Sequence, residues 1–151
     1  MLIEPLAAAE LGAIRPLLVD LLHEEQEASA RAHLTKAQLD RWLPTTEAGF
    51  KGQNHIFAAR EGGELVGFCW CLLFDPGTGL EGEVAELYVA PGARGQGIAS
   101  RLLEQAVALF AEHRVTFACV WTRDSNQAAV RAYRRAGFAP TDQLVLTWCP
   151  Q

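Results

Sequence analysis

Residues 84–103 read VAELYVAPGARGQGIASRLL, and they contain the types and spacings most able to do chemistry. Arg94-Gly95-Gln96-Gly97 is a glycine-spaced turn, and Ile98, Leu102, Ala106, Leu109 and Phe110 then recur at helical spacing. A helix opening on such a turn presents free backbone N–H groups at its N-terminus, where the helix dipole also favours negative charge. Gly95 and Gly97 lack β-carbons, so an anion can come close to the backbone. Arg94, at the lip, can add a bidentate charge-assisted bond. These features describe a phosphate or pyrophosphate cradle; the plainer alternative is a strand-to-helix turn that simply needs flexible residues. Two familiar phosphate loops are excluded. No Lys follows Gly97 as a P-loop requires, and Ser100 stands where a G-x-G-x-x-G fingerprint needs its third glycine.

Two further groups could move protons. Tyr133 lies in Asn126-x-x-Ala129-Val130-x-x-Tyr133-x-x-x-Gly137-Phe138, a short helix with an aromatic just past its Gly stop. By packing alone it is a core residue; its hydroxyl is also a proton donor. Glu81, Glu83 and Glu86 lie on or just before the strand leading into the turn, and strict alternation places Glu86 on the opposite face from Glu83. Each is a candidate proton acceptor or a solvent-facing carboxylate.

The elements that must position these groups are readable in order. Leu2 to Pro5 is a short strand, and Ala7 to about Glu27 is a helix interrupted at Pro16. Its acidic end, His23 to Glu27, is either a solvated face or a surface attracting a cationic substrate. Thr35-x-x-Gln38 is a capping box opening a helix through Leu43, and residues 44–54 form a loop. His55 to Arg60 and Leu65 to Phe74 are strands joined by a Gly62-Gly63 hairpin, and Asp75 to Gly79 is a turn. Leu80 to Val89 is the strand entering the cradle. Val115 to Val120 is an apolar strand expected at the sheet centre, and Thr141 to Cys149 a last strand. Hairpin strands followed by a β-α-β-α-β run imply a mixed sheet with helices on both faces.

The totals bound the rest. A chain of 151 residues is one domain and can bury roughly 70% of its unfolded surface. A net charge of −5 without a basic stripe argues against nucleic acid and suits a cationic partner. No apolar run is long enough to span a bilayer and MLIEPL lacks signal-peptide character, so a cytoplasmic protein without membrane partners is expected. Cys69, Cys71, Cys119 and Cys149 read as reduced structural thiols, and no histidine or cysteine spacing suggests a metal.

Arg94, Gly97 and Ala99 fill the pattern Gln/Arg-x-x-Gly-x-Gly/Ala, and Asn126, Ala129, Tyr133, Gly137 and Phe138 fill N-x-x-A-x-x-x-Y-x-x-x-G-F. On these residues the chain resembles the GNAT superfamily of acyl-CoA-dependent N-acyltransferases over essentially its whole length, as a single domain across residues 1–151. The resemblance implies a mixed, mostly antiparallel sheet of six to seven strands, split in a V between strands four and five. It implies acetyl transfer from acetyl-CoA to a primary amine of a small cationic acceptor, by direct attack in a ternary complex. Leu87, Tyr88 and Val89 would pair with the pantetheine as an added strand, with the Val89 N–H facing the thioester oxygen. The N–H groups of Gly95, Gln96, Gly97, Ile98, Ala99 and Ser100 would hold the pyrophosphate beside Arg94. Asn126 would contact the cofactor arm. Tyr133 would touch the cofactor and act as general acid, with Glu86 or Glu83, or a water, as base.

The AELYV run looks like the diamine and polyamine acetyltransferase type, although Ala85 replaces the first acid of its Glu-Asp pair. The layout LLHEEQEA, LTKAQLDRWL, GFCWCLLFDPGTG is similar to spermidine/spermine N-acetyltransferases. A protein N-terminus or lysine is the alternative acceptor, and an acyl-CoA-binding module without turnover the alternative class. Relatives are commonly dimeric, so the resemblance allows a homodimer.

Overall fold

The computed structural model describes residues 1–27, 34–43, 52–75 and 79–146. Five strands form one sheet in the order β1 (Leu2–Pro5), β2 (Gln53–Glu61), β3 (Glu64–Phe74), β4 (Glu81–Val89), β5 (Phe117–Val120). The first four run antiparallel to their neighbours, and β5 runs parallel to β4. Among the described residues four α-helices accompany them: α1 (Arg15–Glu27), α2 (Lys36–Trp42), α3 (Ile98–Glu112) and α4 (Gln127–Arg135). Pro16 sits in the first turn of α1, where its missing N–H costs no intrahelical bond; a 3-10 stretch over Ala8–Ile14 precedes it. The Thr35/Gln38 capping box forms as the sequence predicts.

Strand alternation divides the apolar residues between two layers. Phe57, Cys69, Cys71, Leu73 and Val84 face α3 and Tyr133 of α4. Ile56, Ala58, Phe68 and Tyr88 face the 3-10 stretch and α1, through Ile14 and Leu18. Helices therefore cover both faces, as expected. Gly82 sits under Phe110 of α3, whose ring would lie 2.7 Å from an added Cβ, so this strand position admits no side chain.

The sheet has five strands among the described residues, where six to seven were expected. Residues 141–146 of the expected last strand adopt no strand conformation, and the remainder of that stretch lies outside the described residues. Their composition favours a strand, but β-propensity acts only against a paired, half-buried neighbour; here Leu144 and Leu146 are 81% and 85% exposed. For the same reason β5 ends the five-strand order instead of occupying its centre, and Phe117 on it is exposed. Most of the expected 44–54 loop, and Pro76 to Thr78 of the expected turn, also lie outside the described residues.

Candidate active site

The site is built where β4 parts from β5. The parallel ladder runs from Glu81↔Phe117 to Val84↔Val120, where β5 ends, whereas β4 continues to Val89. At the point of parting β4 also bulges. Trp70 opposes Glu86 and Cys71 opposes Val84, so Ala85 is the extra residue. The bulge reverses the alternation: Val84 packs toward α3, and Tyr88, four residues on, packs toward α1. Glu86 opposes Trp70, which packs on the α1 side, and Glu83 opposes Leu72, which lies between the α3-facing Cys71 and Leu73. Cross-strand partners share a face. Glu83 and Glu86 thus share the α1 face, correcting the opposite-face expectation from unbroken alternation.

Beyond the bulge the main chain is aimed. The Ala90 N–H donates to the Val66 carbonyl on β3 at 2.8 Å. Alternation then directs the N–H groups of Leu87 and Val89 to the other edge, into the slot left by β5.

The turn that follows is built on two left-handed glycines, Gly95 at φ 79° and Gly97 at φ 77°, each with open space where a Cβ would stand. Gly97 is the N-cap of α3 and has no side chain to cap it. The first intrahelical bond runs from the Arg101 N–H to the Gly97 carbonyl at 3.2 Å. The N–H groups of Ile98, Ala99 and Ser100 therefore point along the helix axis without intrahelical acceptors. An anionic diphosphate fits this arrangement: backbone donors without intrahelical acceptors, no β-carbon at Gly95 or Gly97, and the positive end of a four-turn helix.

Arg94 stands at the lip but is already engaged. Its Nε donates to the Val89 carbonyl (2.8 Å), its Nη2 donates to the Glu24 carboxylate (2.6 Å), and its Cζ lies 5.6 Å from the Tyr88 ring centroid. The Tyr88 hydroxyl donates to the other Glu24 oxygen at 2.9 Å, and burial together with that carboxylate pushes the phenol up. Glu24 was not singled out from the sequence; the only signal was the acidic end of the first helix.

Tyr133 is fixed by the way α4 stops. The Phe138 N–H donates to the Tyr133 carbonyl (3.0 Å) and the Gly137 N–H to the Arg134 carbonyl (3.1 Å), with Gly137 at φ 98°. This is the paired-bond helix stop whose accompanying apolar contact joins the first and last residues. Here that contact is the edge-on packing of Phe138 against the Tyr133 ring, centroids 6.1 Å apart. The Y-x-x-x-G-F spacing is thus a device for holding one aromatic. At the other end, the Asn126 side chain accepts from the Ala129 N–H at 3.2 Å, so Asn126 caps α4 at an exposed position. Tyr133 is buried, and burial, followed by the nearby Cys69 and Glu86, pushes its phenol up. It stays protonated at neutral pH and so keeps a proton to donate. Burial also raises the Glu83 carboxyl, making it a better proton acceptor than an exposed glutamate.

The thiols among the described residues show no activated nucleophile. Cys69 and Cys71 are buried with sulfurs 3.7 Å apart, and that hydrogen bond and burial hold the Cys69 thiol well above its ordinary range. Burial raises Cys119 too. Among the described residues no group of three His, Cys, Asp or Glu could hold a metal ion. His55 and His113, read separately in the sequence, meet edge-on at 5.6 Å on the far side of the domain, beside a cavity of about 500 Å³. No helix among the described residues is long and apolar enough to cross a membrane.

A split mixed sheet, an anion-ready turn opening a helix and a buried tyrosine beside the split together make one cleft. The family assignment agrees: residues 17–138 match the model of the acetyltransferase (GNAT) family, and the chain belongs to it. It is 33% identical over 119 residues to the mycothiol acetyltransferase of Salinispora tropica, a match covering 78% of this chain and 36% of that protein. The chain thus spans little more than a third of the length of such curated relatives. Among solved structures it is similar to an integron cassette protein from the mobile metagenome of V. cholerae, with TM-score 0.77, 16% identity, and coverage of 99% and 92% of the two chains. It is also similar to an aminoglycoside N-acetyltransferase solved with CoA, with TM-score 0.67, 16% identity, and 99% coverage of both.

Proposed function

We propose that the protein is an acetyl-CoA-dependent N-acetyltransferase that acts on a primary amine of a small cationic molecule. The observation that carries the reading is one slot in which a released strand edge, a helix N-terminus with free donors and a fixed tyrosine converge. Backbone N–H groups from Gly95 to Ser100 hold the diphosphate, with Gln96 at the crown of the turn. Leu87, Tyr88 and Val89 present the strand edge along which the pantetheine arm lies, and Asn126 lies along the arm. Bound acetyl-CoA supplies the thioester and, as its thiolate, the leaving group.

The chain's own groups do the rest. An alkylamine has a pKa of about 10 and arrives charged, so it must lose a proton before it attacks. Glu83 accepts that proton, directly or through a water; Glu86, on the same face, is the second candidate. The Val89 N–H donates to the thioester oxygen as it gains charge. The Tyr133 hydroxyl gives its proton to the departing sulfur and recovers one afterwards. An acyl-cysteine route has no support in thiols held protonated.

A small cationic acceptor is favoured by the net charge of −5 and by Glu24, Glu83 and Glu86 on the α1 side. Relatives named for aminoglycoside and mycothiol acetylation agree with a small molecule. Free-thiol release from acetyl-CoA across a panel of polyamines, aminoglycosides, amino sugars and lysine peptides tests the proposal. Turnover with a small amine supports it, and turnover only with peptides redirects it to a protein acceptor. Tight CoA binding with no turnover would leave a binding module. The cytoplasm and a homodimer are the location and assembly proposed with this function.

A further inference from the structure

The Arg94 guanidinium faces two anionic claims. In the structure it is held by Glu24, seventy residues earlier on α1, at 2.6 Å. In the reading above, a diphosphate lies on the turn that Arg94 opens. A guanidinium binds phosphate oxygens bidentately, and a diphosphate carries more charge than one carboxylate. The Arg94 side chain is 48% exposed, so it can swing without unpacking the core. Glu24 is tied separately: its other oxygen accepts from Tyr88, whose ring is buried in the α1 layer, and among the described residues the other acid acting on that phenol is Asp20, one turn earlier and bonded to Lys36. Glu24 therefore has a fixed anchor and a releasable partner.

We propose that Glu24 is a positioning residue that occupies Arg94 in the empty protein and yields it to the diphosphate when CoA binds. The inference rests on the diphosphate lying at residues 94–100. After the exchange Arg94 closes over the cofactor, and Glu24, still bonded to Tyr88, has one carboxylate oxygen released from Arg94. The first helix and the cofactor turn are thereby coupled through one ion pair, and CoA binds more weakly than the turn alone would allow.

Calorimetric CoA titration of the intact chain tests this with four single variants and one double. Glu24→Gln is expected to tighten CoA about two- to fivefold, the range of an exposed ion pair removed as competitor. Arg94→Gln weakens it, and Glu24→Gln added to Arg94→Gln gives no further gain. Glu104→Gln, which removes the same charge from the exposed side of α3, changes affinity less than Glu24→Gln does. Glu24→Asp keeps the charge but withdraws it by one methylene, so it gives a smaller gain in the same direction and serves if the Gln variant folds poorly. Unchanged or weaker CoA binding in Glu24→Gln overturns the exchange alone, as does an equal gain in the Arg94→Gln background. Failure of the wild-type chain to bind CoA overturns the diphosphate reading, and this inference with it.

Discussion

Gly97 and Gly137 are both left-handed glycines at helix ends, yet they do opposite work. Gly97 opens α3 at φ 77° without capping it, and three N–H groups are left without intrahelical partners. Gly137 closes α4 at φ 98°, and the last carbonyls are met by its own N–H and that of Phe138. One end keeps donors without intrahelical partners, where the proposed diphosphate would lie; the other is satisfied and holds Tyr133 in place. Unmet donors mark binding, and met acceptors mark positioning.

The sharpest way to break that contrast is to block the open end. Gly97→Glu places a side chain at a backbone conformation that disfavours one, and a carboxylate against a diphosphate. CoA affinity should fall by about 100-fold or more, from like-charge repulsion plus roughly 1 kcal/mol of strain. Calorimetry that found near-normal affinity would remove the turn from the site.

Tyr133→Phe sharpens the other half of the comparison. The ring and its packing on Phe138 remain, and only the proton donor is lost. kcat should drop on the order of 10²-fold with CoA affinity unchanged. Equal losses in both would make Tyr133 a packing residue.

At the closed end, Gly137→Val should cost about 1–2 kcal/mol of stability in denaturant unfolding, because a β-branched residue at positive φ is strained. Any activity loss should be recovered on cooling. A stable variant with low kcat would mean that Gly137 acts in chemistry and not in holding Tyr133.

The smallest effect is the pH profile. Burial raises the Glu83 carboxyl, so its charged form is disfavoured in the fold. Its protonated form contributes stability below the ordinary glutamate range, and that contribution is lost as pH rises through the raised value. Activity runs the opposite way: kcat/KM should increase as Glu83 deprotonates, with an acidic limb above the ordinary glutamate pKa. Glu83→Gln should abolish that limb. A profile identical to wild type would assign the proton to Glu86 or to water.

What could be read from the sequence was local. The Thr35/Gln38 box, the Asn126 cap, the Gly137 stop and the glycine turn each depend on residues within a few positions, and each formed. What could not be read depended on partners far along the chain. The Ala85 bulge is defined only by what β3 places opposite, and it moved Glu86 to the face of Glu83. The Glu24–Arg94 pair joins residues seventy apart, and His55 with His113 likewise needs the fold to bring them together. Of the expected last strand, residues 141–146 found no ladder partner among the described residues, whatever their composition.

In the proposed function, main-chain amides from Gly95 to Ser100 grip the diphosphate of CoA. The direct measurement is a CoA titration of the ¹⁵N-labelled protein followed amide by amide. The amide signals of Gly95 to Ser100 should shift first and furthest, while those of Gly137 and Phe138 at the closed helix end stay nearly still. CoA saturation with the turn's amides unmoved, and the shifts elsewhere, would contradict it.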